Sequence, residues 1–357
     1  MLTVFSIATF LLTWHSAADS LKVFYADTKF ARKTVTKQTF DDILKSPFTQ
    51  FVPVSNGNNF YIEESKRPIY LSCTDLHEVG ILDDRQKLFV YLGSKAGVEF
   101  VAVDLVPEDD VKSATSDGAS KSPSTLPLCL RKDGIKEDML RSFSEQLADF
   151  DDASLLAHAR GMIVWHNNTK FCCKCGSKTK SQRAGSSRKC VNEGCKASSY
   201  PRLEPASIML ITDRTGDHCL LGRKAIWPTG RYSALAGFTE VGETLEQTVV
   251  RETFEEAGVT VDADSLRMVA SQPWPFPSSL MIGYRGVCTE EGLPTVNFDS
   301  KEMQDVKWFS KEDVRNALDG GSTSLGDWKP TAKEAILHFP GVSSLARVML
   351  TQWCSEI

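Results

Sequence analysis

The chain has 357 residues, of which 41% are hydrophobic and 24% are charged, and its formal net charge is −5. This composition is typical of a globular protein with room for two or three domains, each with its own core. The mild negative charge argues against a broad nucleic-acid-binding surface, although it leaves room for a small basic pocket that binds a phosphorylated ligand.

The first 18 residues are apolar apart from Thr, Ser and His15. They resemble a secretory signal that ends in Ser16-Ala17-Ala18, but no Lys or Arg precedes Lys22, and a first buried element of the N-terminal domain is the favoured alternative. The run is too short to span a membrane, so we expect no membrane association. We expect an intracellular protein, with the cytoplasm favoured and a mitochondrial or other organellar location left open.

The N-terminal half alternates short apolar runs with turn signals, which predicts an α+β domain. The predicted strands are Phe60–Ile62, Ile69–Leu71, Leu88–Tyr91 and Phe100–Val103. Val106–Leu128 is rich in Ser, Asp, Pro and Thr and is predicted to be a surface loop. This half shows no catalytic constellation.

The second half mixes predicted helices and strands, which favours an α/β domain around a mixed sheet. A helix capped by Asp152 or Ser154 is predicted to bury Leu155, Leu156, Ala159, Met162 and Ile163. Strands are predicted at Ala206–Ile211, Cys219–Leu221, Tyr232–Leu235, Leu266–Ala270 and Leu280–Tyr284, with another element from Trp308, and helices at Leu245–Ala257 and Leu345–Gln352. Asp213 and Gly216 suit a hairpin turn between the first two of these strands.

Five of the ten cysteines fall within 24 residues. Four of them give C-x2-C, a gap of 14 residues and C-x4-C: Cys172, Cys175, Cys190 and Cys195. Two knuckles of this kind, turned by Gly176 and Gly194, can direct four thiolates at one Zn²⁺, and four sulfurs leave no place for water. We therefore predict a structural zinc site with Cys173 as the spare thiol, since buried free thiols would not explain the ligand spacing.

The densest acidic segment lies around Glu252, Glu255 and Glu256. These residues stand at i, i+3 and i+4, so one helical face carries three carboxylates, and Gly258 suits the end of the helix. Unpaired like charges at this spacing are destabilising, whereas Mg²⁺ takes oxygen ligands and keeps waters for a phosphate substrate. A solvated acidic face is an equally good explanation of the helix alone.

The complete spacing favours the metal site. Gly237, five residues, Glu243, seven residues, Arg251-Glu252, then Glu255-Glu256, one residue and Gly258 resembles the Nudix box. Thr253 departs from the family, which has an aliphatic residue there, so its hydroxyl needs a partner. The resemblance implies a Nudix α/β/α sandwich in which Glu252, Glu256 and the Ala236 carbonyl bind Mg²⁺ or Mn²⁺. It also implies that Glu255 is a ligand or assists the attacking water, while Arg251 and Glu243 brace the loop and helix.

A second motif, Ser271–Ser279, interleaves three prolines with two aromatic residues and so presents stiff, flat, apolar surfaces that suit a nucleobase or nicotinamide ring. Taken alone, it is equally well explained as a rigid loop packed on the core. It resembles the signature of NADH pyrophosphatases within the Nudix superfamily, which also carry a four-cysteine zinc ribbon before the catalytic domain. The resemblance covers about Ala153 to the C-terminus and the N-terminal half only loosely.

The NADH pyrophosphatase resemblance implies a set of substrate residues. Tyr200 and Phe238 would sandwich the ring, Ala346 would contact substrate through its backbone, and Glu302 would be the distal metal ligand. The residues that would line the site are Gln272, Pro273, Trp274, Pro275, Phe276, Pro277, Ser278 and Ser279. Among them, Gln272 and Ser279 are the candidates for hydrogen bonds that select the substrate. Family members form homodimers and can remove NAD caps from RNA.

The sequence therefore predicts three parts: an N-terminal domain over 1–150, a linker helix with a zinc ribbon over 151–202, and a Nudix domain over 203–357. The predicted activity is hydrolysis of the pyrophosphate of NADH or NAD⁺ to AMP and a nicotinamide mononucleotide. Hydrolysis of ADP-ribose, FAD or an NAD cap on RNA is the enzymatic alternative. A non-catalytic nucleotide-binding module is the alternative outside enzymes, and the presence of every acidic position argues against it.

Overall fold

The computed structural model describes residues 30, 35–84, 87–106, 127–147, 149–319 and 337–356. The segment 1–18 and most of the predicted loop at 106–128 lie outside these residues. The described residues divide into two units, one running up to Leu203 and including Trp274–Ser279, the other comprising Glu204–Pro273 and the described residues from Leu280 onward. Among the described residues, no helix is long and apolar enough to cross a membrane.

The first unit opens with a five-stranded sheet. Its elements are α1 (Lys37–Lys45), β1 (Thr49–Ser55), β2 (Asn58–Ile62), α2 (Cys73–Glu78), β3 (Phe89–Lys95), β4 (Val98–Asp104), β5 (Ile135–Asp138) and the short α3 (Leu140–Phe143). The strand order is β3-β4-β1-β2-β5, and the parallel pair β1–β4 makes the sheet mixed. One core joins Ile43 of α1 and Leu76 of α2 to Phe51 and Val101 of the sheet.

The strand predicted at Ile69–Leu71 is wrong. Within the segment only Leu71 forms an isolated bridge, to Phe51, and Pro68 just before it forms another, to Tyr61. Pro68 cannot donate to a ladder, and Ser72 begins α2 immediately afterwards by accepting a hydrogen bond from the Asp75 amide. The apolar residues are nevertheless used, since Leu71 is buried in the core.

A long helix, α4 (Phe150–Asn168), packs against β1, β3 and β4 and leads into a small sheet of β6 (Thr179–Gln182), β7 (Ser187–Cys190) and β8 (Ser198–Ser199). The helix begins one turn before the sequence-based prediction, because Asp149 rather than Asp152 or Ser154 caps it by accepting from the Asp151 amide. The predicted apolar residues are buried except Met162, which is half-buried.

The second unit is a sheet between helices, and its elements confirm the predicted α/β class. They are β9 (Glu204–Thr212), β10 (His218–Arg223), β11 (Leu235–Phe238), α5 (Leu245–Ala257), β12 (Arg267–Trp274), β13 (Ser279–Val287), β14 (Asp305–Ser310), α6 (Lys311–Asp319) and α7 (Leu345–Ser355). The strand order is β12-β13-β9-β10-β14, and β11 also pairs with β9.

The central strand β9 supplies both cores of this unit by alternation. Ile208 and Leu210 pack in a core with α6 and α7, whereas Met209 and Ile211 pack in the core beneath α5. The predicted α/β/α sandwich is therefore confirmed. The strand predicted at Tyr232–Leu235 is displaced, because the ladder with β9 runs over Leu235–Phe238 and Ser233 only bridges to Gly222.

Candidate active site and metal centre

The acidic helix α5 has strong local signals at both ends. Thr244 and Gln247 form a capping box, each side chain accepting from the other residue's amide. Gly258 adopts the left-handed conformation at φ 70°, and its amide donates to the Phe254 carbonyl at 2.7 Å. The helix limits therefore match those predicted from sequence, and they fix which side chains face β11.

A glycine allows the first carboxylate to seat against the sheet. A Cβ atom on Gly237 of β11 would lie 1.8 Å from the Glu252 carboxyl carbon, so no larger residue fits there without displacing Glu252. Burial raises the pKa of Glu252, Arg251 lowers it, and the charges of Glu255 and Glu302 raise it. Glu302 is exposed, and its charge is the smallest of these contributions.

The second carboxylate, Glu256, is almost completely buried, with 4% of its surface exposed. Burial raises its pKa to about 7; the positive charge of Lys224 opposes this shift, and the charges of Glu252 and Glu302 add to it. One oxygen accepts from the Ala236 amide at 3.3 Å and the other lies 3.7 Å from the Lys224 ammonium nitrogen. Such a carboxylate needs a cation nearby to remain charged at neutral pH.

Arg251 holds the acidic groups of the loop and the helix together. Its guanidinium donates to both oxygens of Glu243, at 2.6 and 2.9 Å, and to Glu252 and Glu255, each at 2.9 Å. It also donates to the Phe238 carbonyl at 3.0 Å. These contacts lower the pKa of Glu243 to about 2. The arrangement agrees with the bracing role expected for Arg251 and Glu243.

Thr253, which stands where the Nudix box has an aliphatic residue, is accommodated inside the helix. The side chain is completely buried, and its hydroxyl donates to the Val249 carbonyl at 2.7 Å. The hydroxyl therefore has the partner that its burial requires, and the packing expected of an aliphatic residue is preserved.

The four cysteines form the cluster of metal-type ligands that the described residues bring together. All four sulfur atoms lie within 4.8 Å of one another, with 3.8 Å between Cys172 and Cys195 and 3.5 Å between Cys175 and Cys190. Tetrahedral Zn–S bonds of about 2.3 Å place sulfurs about 3.8 Å apart, so the spacing fits a zinc ion. Cys173 points elsewhere and is exposed.

The two knuckles are turned by different residues. Gly176 turns the first knuckle with φ 72°, whereas Lys196 rather than Gly194 takes the left-handed conformation in the second knuckle, at φ 52°. Asn192 organises that knuckle, because its side chain accepts from the Gly194 amide at 2.9 Å and its carbonyl accepts from the Cys195 amide at 3.0 Å. Gly194 therefore lies in the turn, but Lys196 is the residue with the left-handed backbone.

The predicted aromatic ring-binding residues are both exposed, Tyr200 by 53% in the first unit and Phe238 by 58% in the second. Gln272 is different, being only 1% exposed. Its amide nitrogen donates to the Ser343 carbonyl at 2.7 Å and its amide oxygen accepts from the Leu345 amide at 2.9 Å. Gln272 therefore holds the start of α7, next to the buried Ala346, with both ends of its amide in use.

The Pro-aromatic segment forms the turn of the β12–β13 hairpin rather than a free loop. Trp274 and Phe276 meet edge to face, with ring centroids 5.3 Å apart. Arg160 of α4 donates to the Pro275 carbonyl and lies 4.7 Å from the Phe276 ring centroid. Ser279 begins β13 and is buried.

Sequence reasoning missed Lys224 and Arg160. Lys224 follows β10 with no pattern that connects it to a helix carboxylate 32 residues away. Arg160 did carry a signal, since it stands four residues after Leu156 and three before Ile163, among the apolar positions of α4. A charged residue at a buried helical position usually has a specific partner.

The comparisons with known proteins agree with this geometry. Residues 202–329 match the NUDIX domain family, so the chain contains a Nudix domain and the predicted resemblance is confirmed. It is similar to the NAD-capped RNA hydrolase NUDT12 of Homo sapiens, with 37% identity over 209 residues that make up 57% of this chain and 42% of that protein. It is also similar to the NAD-capped RNA hydrolase NudC of Mycobacterium tuberculosis, with 38% identity over 59% of this chain and 63% of that protein.

The chain thus spans less than two thirds of either relative. A solved structure of a NUDIX hydrolase from Nitrosomonas europaea aligns with 48% of this chain and 98% of its own, at 22% identity and a TM-score of 0.33. A TM-score this low supports no conclusion about the fold or the function.

Proposed function

We propose that this chain hydrolyses the pyrophosphate of NADH and related NAD dinucleotides, giving AMP and a nicotinamide mononucleotide. The observation that carries the proposal is the pair Glu252 and Glu256, seated by Gly237 and by burial on the inner face of a Nudix helix. The relatives act on NAD-capped RNA according to their names, and this supports an NAD-type substrate.

The residues present fit a hard divalent cation. Glu252, Glu256, Glu302 and the Ala236 carbonyl offer only oxygen atoms. Burial and neighbouring negative charges raise the pKa of Glu252 and Glu256, and a bound cation would oppose both effects. When bound, Mg²⁺ or Mn²⁺ would neutralise phosphate charge and acidify a bound water. The cysteine cluster offers four sulfurs and no open position, so we propose that Zn²⁺ there is structural.

The chain's own residues would position the groups that react with the attacking water. Glu255 is half-exposed, with 52% of its side chain accessible, and can accept the proton of the attacking water. The water oxygen forms a new bond to one phosphorus, and the bond from that phosphorus to the bridging oxygen breaks. Arg251 would hold the carboxylates of Glu255 and Glu252 close together, since the same guanidinium nitrogen donates to both.

Three further assignments complete the proposal. We propose that the three predicted parts, 1–150, 151–202 and 203–357, act as an N-terminal domain, a ribbon with its linker helix, and the catalytic domain. We propose that the exposed rings of Tyr200 and Phe238 bind the base or nicotinamide, with Trp274–Ser279 lining the site. We also propose a homodimer, which light scattering of the purified chain would test directly.

Removal of the NAD cap from RNA is the second candidate function, favoured by the names of both relatives. The deciding experiment incubates purified chain with NADH, NAD⁺, ADP-ribose, FAD and NAD-capped RNA in Mg²⁺ or Mn²⁺ and separates the products by chromatography. We expect AMP and reduced nicotinamide mononucleotide from NADH. A wide preference for ADP-ribose would contradict the proposed substrate, and no turnover of any compound would favour a binding module.

Substrate selection gives a finer test. We expect Phe238→Ala to weaken all dinucleotides together, by about 5- to 150-fold in kcat/KM, because stacking is worth roughly 1–3 kcal/mol and tolerates different rings. We expect Gln272→Ala to change the ratio of NADH to ADP-ribose hydrolysis, because it releases the backbone of Ser343 and Leu345 beside Ala346. An unchanged ratio would remove Gln272 from the specificity residues.

A further inference from the structure

The zinc ribbon has a charge opposite to that of the whole chain. Between residues 170 and 202 the sequence has nine Lys or Arg and one acidic residue, Glu193, although the chain carries a net charge of −5. Seven of these cations are exposed: Lys174, Lys178, Lys180, Arg183, Lys189, Lys196 and Arg202. Four thiolates around one Zn²⁺ leave a net charge of about −2, so the metal site offsets only part of this positive charge. A hydrolytic reaction at the acidic helix accounts for none of the remainder.

The register of the small sheet gathers part of this charge on one face. Lys180 of β6 lies directly opposite Lys189 of β7, so both side chains leave the same face of the sheet. Lys178 is two residues before Lys180 and shares that face by alternation. Phe171, with 62% of its surface exposed, forms a bridge with Lys178. We call Phe171, Lys178, Lys180 and Lys189 the basic ribbon face.

A cation on the opposite face of the same sheet is buried and has hydrogen-bond partners within the fold. Arg188, the neighbour of Lys189, is buried and donates to the Thr179 hydroxyl at 2.7 Å, to the Thr179 carbonyl at 2.9 Å and to His166 at 2.8 Å. In contrast, Lys178, Lys180 and Lys189 make no ion pair with any described carboxylate. Like charges directly opposite one another across a sheet are destabilising unless an anion is bound.

We infer that the basic ribbon face binds the single-stranded RNA that follows an NAD cap, an inference that rests on the proposed function. Unpaired lysines beside an exposed aromatic ring are the combination that holds a phosphate backbone while bases stack. A free dinucleotide carries too few phosphates to use three aligned cations as well as a metal site. The ribbon would therefore add affinity for capped RNA without adding any for NADH.

The test compares two triple variants with the same change in charge. Lys178→Gln, Lys180→Gln and Lys189→Gln neutralise the basic ribbon face, and Lys37→Gln, Lys45→Gln and Lys132→Gln neutralise three exposed lysines elsewhere in the first unit. The probe is an uncapped, 5′-monophosphorylated single-stranded RNA, followed by fluorescence anisotropy over a salt series. Zinc content and a thermal melt establish that both variants are folded.

We expect the ribbon variant to bind the RNA about tenfold more weakly and to lose about 2 from the slope of log K against log salt, since each phosphate contact contributes roughly 0.7 for single strands. The ribbon variant should also raise KM for NAD-capped RNA at least about fivefold, while kcat/KM for NADH stays within about twofold of wild type. The control variant should match wild type in all four quantities.

Equal RNA affinity and equal salt slope in the two variants would overturn the inference. It would also fall if an acidic peptide of matched charge competed as well as the RNA, because the face would then recognise an acidic protein. The proposed function fails separately, by absence of NADH hydrolysis in the wild type, and that result leaves the uncapped-RNA binding data unaffected.

Discussion

The ribbon and the acidic helix both gather metal-type ligands, but they do so under opposite electrostatic conditions. In the ribbon the four sulfurs already lie within 4.8 Å of one another, on short knuckles fixed by backbone hydrogen bonds. In the helix Arg251 binds two of the carboxylates while burial raises the pKa of Glu256 to about 7. The proposed zinc site is therefore closed by four sulfurs, whereas the proposed Mg²⁺ or Mn²⁺ site is open and its ligands are held by exchangeable contacts.

The largest effect should follow from removing one thiol of the four-cysteine cluster. Cys190→Ser removes a buried thiol, and because ligation energy of roughly 10–16 kcal/mol for small zinc domains is folding energy, we expect loss of the bound zinc and aggregation or unfolding. Cys173→Ser is the matched control, since Cys173 is an exposed neighbour of Cys172 outside the cluster. Elemental analysis and a thermal melt measure both. A Cys190→Ser chain with full zinc content would contradict the site.

The next effect concerns the helix. Glu256→Gln keeps the shape of the side chain and removes its charge, so we expect a folded protein with at least about a 100-fold lower kcat, as the loss of several kcal/mol of charge stabilisation requires. Glu246→Gln is the control on the same helix, because its carboxylate accepts from the Tyr284 hydroxyl at 2.9 Å instead. Near wild-type turnover by Glu256→Gln would remove it from the metal ligands.

These two sites differ in how far sequence could define them. The cysteine spacing and the Nudix spacing are local, so the sequence predicted the four-cysteine cluster and the limits of α5. The proximity of Lys224 to Glu256 depends on strand pairing, which no local pattern encodes. The same holds for the packing of the Glu252 carboxylate against Gly237. For the same reason β11 was placed three residues early, since its start is set by pairing of Leu235 with Met209.

Net charge hides a local concentration of charge in the same way. The total of −5 averages the acidic helix α5 with the basic ribbon face. Only the β6–β7 register shows that Lys180 and Lys189 share one face. The charge of a single element is therefore a better guide to its partner than the charge of the chain.

A third prediction concerns the buried histidine that joins α4 to the ribbon. His166 Nε2 donates to the Gly185 carbonyl at 2.7 Å and Nδ1 accepts from Arg188 at 2.8 Å, so the ring is neutral, and burial lowers its pKa to about 4. The unfolded chain, with a pKa near 6.5, then binds more protons than the folded chain between pH 6.5 and 4. Stability is present above this window and is lost as the pH falls through it.

We expect the free energy of unfolding of the wild type to fall by about 2 kcal/mol more than that of His166→Gln between pH 7 and pH 5. Denaturant unfolding of both proteins at the two pH values measures this difference. Arg285→Gln serves as a surface control, since it changes an exposed pair with Glu356 and leaves His166 intact. Parallel pH profiles for wild type and His166→Gln would contradict the neutral, buried ring.

The smallest expected effect is a change in the free energy of unfolding that tests the repulsion between lysines on the basic ribbon face. Lys189→Glu places a carboxylate directly opposite Lys180 and should raise the free energy of unfolding by about 0.2–1 kcal/mol in the absence of nucleic acid. Lys132→Glu, at an exposed lysine elsewhere in the first unit, is the control and should have no such effect. A destabilised Lys189→Glu protein would show that the two lysines are not repelling each other.

The most direct measurement separates the two metal sites in one sample. Purified chain is dialysed exhaustively into metal-free buffer, which removes weakly held Mg²⁺ and Mn²⁺ without a chelator that would compete for zinc. Zinc content and NADH hydrolysis are followed before and after Mn²⁺ is restored. We expect about one zinc per chain to remain throughout, while hydrolysis disappears and then returns with Mn²⁺. Hydrolysis that persists after removal of Mg²⁺ and Mn²⁺, or that is lost and restored together with zinc, would contradict the assignment of catalysis to the acidic helix.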